Sequence, residues 1–231
     1  MYQLISGDSF TSLQSMDDAS VDLILTDPPY ESLEKHRAVG TTTRLKKDWF
    51  PVISNAKLVQ YINECFRVLK DNSHCYIMSD QETHYVIRNA AIAAGFTWKK
   101  FIVWDKECIG MGYSYRAKHE VISFISKGYR KLNDLSLPDV LSHKRVHNGY
   151  PTEKPVKLSE DIIRNASNEG ETVLDMFAGS GSTMEASLNL NRNVIGMELC
   201  SETCLDIRLR LNQHKEVDNL LIQRKQLALA L

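Results

Sequence analysis

Two apolar runs of strand length, far apart in the chain, each end in a turn of unusual composition. Val21-Asp22-Leu23-Ile24-Leu25-Thr26 runs into Asp27-Pro28-Pro29-Tyr30, and Thr172-Val173-Leu174-Asp175-Met176 runs into Phe177-Ala178-Gly179-Ser180-Gly181-Ser182. Near-continuous apolar runs of this length read as strands buried on both faces, which requires a parallel sheet covered by helices. Open sheets of that kind take their ligands at the carboxyl edge, where each strand hands over to its turn. Asp27 and the glycine loop both stand at such handovers.

The first turn is chemically specific. Pro28 and Pro29 have fixed φ and donate no backbone N–H, so they make a stiff elbow whose carbonyl oxygens are free to accept. Asp27 adds a carboxylate and Tyr30 an aromatic face on which a flat heterocycle can stack. An exocyclic amine needs those three things from a pocket. The plainer reading is a strand that ends in a Pro-rich turn, since Asp and Pro are both common turn residues.

The second turn adds weight to the first reading. Glycines between a strand and a helix let backbone approach a ligand closely, and the helix N-terminus behind them favours negative groups. The spacing is not the dinucleotide fingerprint, because Gly179 and Gly181 are followed by Thr183 and Met184 with no third glycine. About 20 residues on, where such folds place a ribose-binding acid, Asn193-Val194-Ile195-Gly196-Met197 reads as a strand ending at Glu198. That carboxylate can accept from both ribose hydroxyls; otherwise it is a solvated residue at a strand end.

Seven strands are predicted: Tyr2 to Ile5, Val21 to Thr26, Cys75 to Ser79, Thr97 to Trp104, Glu120 to Ile125, Thr172 to Met176 and Asn193 to Met197. Helices are predicted at Lys57 to Lys70, Glu82 to Ala94 (closed by Gly95), Val156 to Asn168, Thr183 to Asn189 and Glu202 to Leu211. No helix separates the fourth and fifth strands, so these pair antiparallel through Gly110 and Gly112. The Leu-rich stretch 217–231 has helical spacing, which fits core packing or the face of a homodimer.

With these motifs in place, the chain resembles the β-class DNA amino-methyltransferases, in which the catalytic motif precedes the cofactor loop. Asp27-Pro28-Pro29-Tyr30 matches the family's catalytic motif, Phe177 to Gly181 its Phe-x-Gly-x-Gly loop, Thr152-Glu153-Lys154-Pro155 its Thr-Glu-Lys-Pro segment, and Glu198 its strand-end acid. The resemblance covers almost the whole chain. It implies a seven-stranded class I methyltransferase fold, Rossmann-like with helices on both faces and a circularly permuted motif order. It also implies S-adenosylmethionine as donor and DNA as partner, with adenine N6 as acceptor in preference to cytosine N4, because Asp at the first motif position goes more often with adenine. A methyltransferase-like binding subunit that needs a partner is the other alternative. Met176 stands where the family usually has Pro, and Tyr150 where a His commonly precedes Pro-Thr-Glu-Lys-Pro. Only about 25 residues separate Ser126 from Thr152, where the family normally inserts its target-recognition region.

By this resemblance Asp27, Pro28, Pro29 and Tyr30 are the catalytic set. The cofactor set is Asp8, Asp27, Thr152, Lys154, Phe177, Ala178, Gly179, Ser180, Gly181, Ser182, Thr183 and Glu198, with Lys154 and Thr152 at the methionine end. Asp8 matches a family position near the adenine ring and equally reads as the N-cap of a helix over Phe10 to Met16. Tyr115-Arg116 and His119-Glu120 resemble a family segment near the DNA-facing edge.

Composition fits one cytoplasmic domain over residues 1–231: 43% of residues are apolar, ample for a core. The first 30 residues hold five Asp and no Lys or Arg, unlike a secretory leader, and no apolar run reaches membrane-spanning length. Five cysteines form no Cys-x-x-Cys pair and none follows a proline, so reduced thiols are expected and covalent thiol catalysis is not. No metal is expected, since His143 and His147 lack a third ligand. Net charge is −1, but residues 31–50 carry +2 and residues 127–150 carry +3. Both segments are candidate DNA-contacting loops, with Lys35, Arg37, Arg44, Lys46, Lys47, Lys144 and Arg145, together with Arg116, as the phosphate-binding candidates.

Overall fold

A computed structural model describes residues 1–33, 51–110, 115–147 and 150–212. Alternation of strands and helices begins with β1 (Tyr2–Ser6), α1 (Ser9–Gln14), β2 (Val21–Thr26), α2 (Asn55–Val68), β3 (Leu69–Ser79) and α3 (Gln81–Ala94). Three strands follow, β4 (Thr97–Asp105), β5 (His119–Lys127) and the short β6 (Val140–Ser142). The chain then returns to α4 (Val156–Ala166), β7 (Thr172–Asp175), α5 (Ser182–Asn189) and β8 (Asn193–Glu198), and residues 201–212 are helical.

All eight strands among the described residues join one sheet in the order β1-β8-β7-β2-β3-β5-β4-β6. Only β5 runs against the rest, antiparallel to β3 and β4. The expected α/β class I architecture is therefore present, and β6, which pairs with β4 over Val103 to Asp105, adds an eighth strand at the edge. Three residues of mixed exposure are too short for periodicity to reveal them.

Both faces of the sheet are covered, as the apolar runs demand. Ile24, Cys75 and Ile77 pack beneath α2 and α3 with Leu58, Ile62 and Ile87. Their neighbours Leu23, Leu25, Tyr76 and Met78 point the other way, toward Leu158 and Ile162 of α4 and Ile207 and Leu211 of the 201–212 helix. A substitution such as Ile24→Ala would open a cavity under α2 and cost roughly 2–5 kcal/mol.

Asp8 caps α1 by accepting from the Thr11 N–H, and Gly95 closes α3 at φ +104 in the left-handed region that favours glycine. The helix expected to run to Lys70 stops at Val68, because Leu69 turns to extended backbone and starts β3. No helix among the described residues is long and apolar enough to cross a membrane, and none of their His, Cys, Asp and Glu residues cluster in a way that could hold a metal.

Candidate active site

Sheet order brings the two motifs together. β7 lies between β8 and β2, so the glycine loop is flanked by Glu198 at the end of β8 and by Asp27 just after β2. A polar splice fixes their spacing: the Thr26 hydroxyl donates to Asp175 Oδ1 at 2.9 Å and accepts from the Met176 N–H at 3.2 Å. Asp175 also accepts from the Phe177 N–H at 3.2 Å. Burial outweighs these bonds and pushes its carboxyl up to about 6.

In the proline elbow, the Pro29 carbonyl accepts from the Ile53 N–H at 2.7 Å, whereas no donor among the described residues reaches the Pro28 carbonyl. One rigid acceptor therefore stays available beside Asp27. Tyr30 bridges to Ile53 and is half-buried. Burial, joined by the Asp27, Glu120 and Asp80 carboxylates, raises its phenol well above the ordinary value, so the ring stays neutral.

Asp27 sits in a line of four charges. Lys154 donates to Asp27 and lies 3.4 Å from Glu120, which in turn lies 3.4 Å from Lys106. Burial raises the Asp27 carboxyl even with Lys154 alongside. Burial also opposes the charges on Glu120 and Lys154, but here the partners win. Lys154 and Lys106 lower the Glu120 pKa, while Asp27 and Glu120 raise that of Lys154. The line alternates basic and acidic side chains, and 26% of the Asp27 side chain remains open to an incoming group.

Across the crevice, Glu198 is oriented by two peptide donors, the Gly179 N–H to Oε2 and the Cys200 N–H to Oε1, each at 2.9 Å. Each oxygen keeps a lone pair for another donor. Gly179 (φ +50) and Gly181 (φ +80) both need the left-handed region. A Cβ on Gly181 would stand 3.1 Å from Ile207, so its bare side serves packing, while the bare side of Gly179 faces the Tyr150 ring. Phe177 packs on Tyr61, whose ring meets Phe10. Ala178 is buried and donates to the Met197 carbonyl, and Ser182 and Thr183 are buried at the start of α5.

Other candidates fall in several places. Asp8 spends its carboxylate on Thr11, the backbone N–H first and then the hydroxyl, and both lower its pKa. Thr152 is exposed in the turn before Lys154. Lys35, Arg37, Arg44, Lys46 and Lys47 lie outside the described residues, as does the 217–231 stretch. Arg116 and Lys144 are exposed at the site edge, and Arg145 follows Lys106 through a hydrogen bond to its carbonyl. Segment 127–150 is not a single loop beside the pocket. Lys127 ends the reversed strand β5 and donates to the Phe66 and Leu69 carbonyls, and Arg130 pairs with Glu171 at 2.8 Å, both on the opposite edge. His143 bonds Asp161 at 2.9 Å.

Residues 21–208 match the DNA methylase family that covers N6 and N4 enzymes. The chain belongs to that family. It is 30% identical to the DNA adenine methyltransferase YhdJ of Escherichia coli strain K12, over 86% of this chain and 79% of that protein. Similarity to the type II methyltransferase M.HpaI of Haemophilus parainfluenzae is 29% over 87% and 71% of the two chains. The crystal structure of an M1.HpyAVI–SAM complex superposes with a TM-score of 0.71 at 26% identity, covering 91% of this chain and all of the other. The PvuII DNA methyltransferase, described as cytosine-N4-specific, shares the fold at a TM-score of 0.72 and 16% identity, over 90% of this chain and 86% of that one.

Motif spacing does not reveal Lys106 or Arg210 as site residues, and Glu120 is visible only through the His119-Glu120 resemblance, without its place beside Lys154. Glu120 opens the one reversed strand, so its amino end reaches an edge that the other strands reach with their carboxyl ends. Arg210, on the 201–212 helix, binds Glu185 of α5, Glu153 at 2.8 Å and the Ser180 carbonyl at 3.1 Å. It thereby holds the Thr-Glu-Lys-Pro turn against the glycine loop.

Proposed function

We propose that this DNA methyltransferase transfers a methyl group from S-adenosylmethionine to adenine N6 of a flipped-out base in DNA. The observation that carries the reading is the partly open Asp27 carboxylate beside the Pro28 carbonyl, which no donor among the described residues reaches, one strand away from the glycine loop. S-adenosylmethionine, when bound, supplies an electrophilic methyl carbon on sulfur. The donor set fits it: Glu198 has lone pairs left for ribose hydroxyls, Gly179 keeps the loop backbone bare, and the family pattern puts Thr152 and Lys154 at the methionine end.

An adenine amine is a weak nucleophile because its lone pair is delocalised into the ring. Hydrogen bonds from N6–H to the Asp27 carboxylate and the Pro28 carbonyl favour a pyramidal nitrogen and stabilise the charge that develops on it. With the donor bound, its methyl would pass to the nitrogen while the carbon–sulfur electron pair stayed on sulfur, and the Asp27 carboxylate would be placed to accept the N–H proton that the nitrogen gives up. Inside duplex DNA the amine is out of reach, so the base must leave the stack, and Tyr30 offers the platform that receives it.

Purified protein, labelled S-adenosylmethionine and DNA test the proposal, with the product nucleosides separated by chromatography. Label in N6-methyl-2′-deoxyadenosine is the expected result. Label in N4-methyl-2′-deoxycytidine would replace adenine by cytosine, and absence of turnover by the chain alone would favour a subunit that needs a partner.

A further inference from the structure

We infer that Glu120 is a positioning residue for the transfer, acting through Lys154. The inference rests on the adenine reading of Asp27 and extends it to a residue outside the family's catalytic motif. The Lys154 ammonium bonds one oxygen, Oδ2, of the carboxylate that the target amine must use. An amine that takes up that oxygen displaces a cation, and a largely buried ammonium left without a counter-ion is costly. Glu120 offers the vacating charge a second anion 3.4 Å away, so Lys154 can shift along the line without becoming unpaired. Lys106, 88% buried as a side chain and 3.4 Å from Glu120, joins Lys154 in favouring the charged form of that second carboxylate.

Three strands and the turn before α4 converge to make this exchange: Asp27 follows β2, Lys106 follows β4, Glu120 opens β5 and Lys154 precedes α4. The titratable groups that face Asp27 are Lys154, Glu120, Tyr30, Asp175 and Tyr150. Those facing Glu120 are Lys154, Lys106, Asp27 and Tyr30. Glu120 contributes negative charge near Asp27, so removing that charge must make Asp27 easier to ionise and leave Lys154 bound to it more firmly.

The test compares Glu120→Gln, which keeps shape but loses charge, with Glu120→Asp, which keeps charge but shortens the reach. For the Gln variant, kcat/KM for DNA at saturating S-adenosylmethionine is expected to fall about tenfold, equivalent to about 1.4 kcal/mol. The acid limb of its pH profile should move to lower pH, and KM for S-adenosylmethionine should stay within about twofold of wild type. The Asp variant is expected to keep the acid limb where wild type has it. An unmoved acid limb in the Gln variant, or an equal displacement in the Asp variant, would overturn the inference and leave Glu120 a packing residue. Thermal unfolding of both variants identifies a rate loss that comes from misfolding, and such a loss with the acid limb in place also counts against it. Absence of adenine methylation by wild type would instead overturn the functional reading beneath.

Discussion

At the scale of single residues, the site depends on where a few polar atoms are left unspent. Asp27→Ala removes the acceptor on which amine activation rests, and turnover should slow on the order of 100-fold or more, a few kcal/mol of transition-state stabilisation. Single-turnover kinetics check this, and near-normal rates would take Asp27 out of the chemistry. Tyr30→Ala should retain cofactor binding but lose base capture. With 2-aminopurine at the target position, the fluorescence rise seen with wild type is expected to disappear. The Asp27 to Tyr30 turn was legible in the sequence because two prolines next to an acid at a strand end have few other uses. Asp8 reads the same way at sequence level as a cofactor contact and as a helix cap, and the structure shows its carboxylate engaged in capping α1.

At the scale of elements, β2 and β7 hold their turns together through a buried acid. The Asp175 carboxyl, pushed up to about 6, titrates above the unfolded value near 3.9. Between those values the native state binds a proton that the unfolded chain has already released, so this group's contribution to stability falls as pH rises from about 4 to 6 and is level above that. An Asp175→Asn variant keeps the acceptor for Thr26 and Phe177 without the titration. Relative to wild type it should gain roughly 2–3 kcal/mol between pH 4 and pH 7, the equivalent of a shift of about two pKa units. Urea unfolding at both pH values measures the difference, and parallel curves for the two proteins would refute it. The seven longer strands and the flanking helices were visible in apolar periodicity. The extension of β3 back to Leu69 was not, since Lys70, Asp71 and Asn72 are polar residues at the start of a strand that is otherwise buried.

For the molecule as a whole, a net charge of −1 leaves DNA binding to local cations rather than to a general field. Arg116→Ala and Lys144→Ala should each weaken binding similarly across sequences and reduce the slope of log affinity against log salt by about 1. A change in preferred sequence with an unaltered slope would mean that these side chains read bases instead of phosphates. The fold was legible because both halves of the site lie at strand ends, where sequence pattern and geometry coincide. Lys106 was hidden because only pairing reveals which way a strand runs, and Glu120 was legible as part of the His119-Glu120 segment but not as the partner of Lys154. The reversal of β5 also decides where this protein can vary. Residues 106–110 and 115–118, which follow β4 and lead into β5, lie beside the chemistry, whereas 128–139 hangs from the opposite rim. Exchanging the former between related enzymes would alter which bases are admitted without disturbing the scaffold, and exchanging the latter would leave the choice of target unchanged.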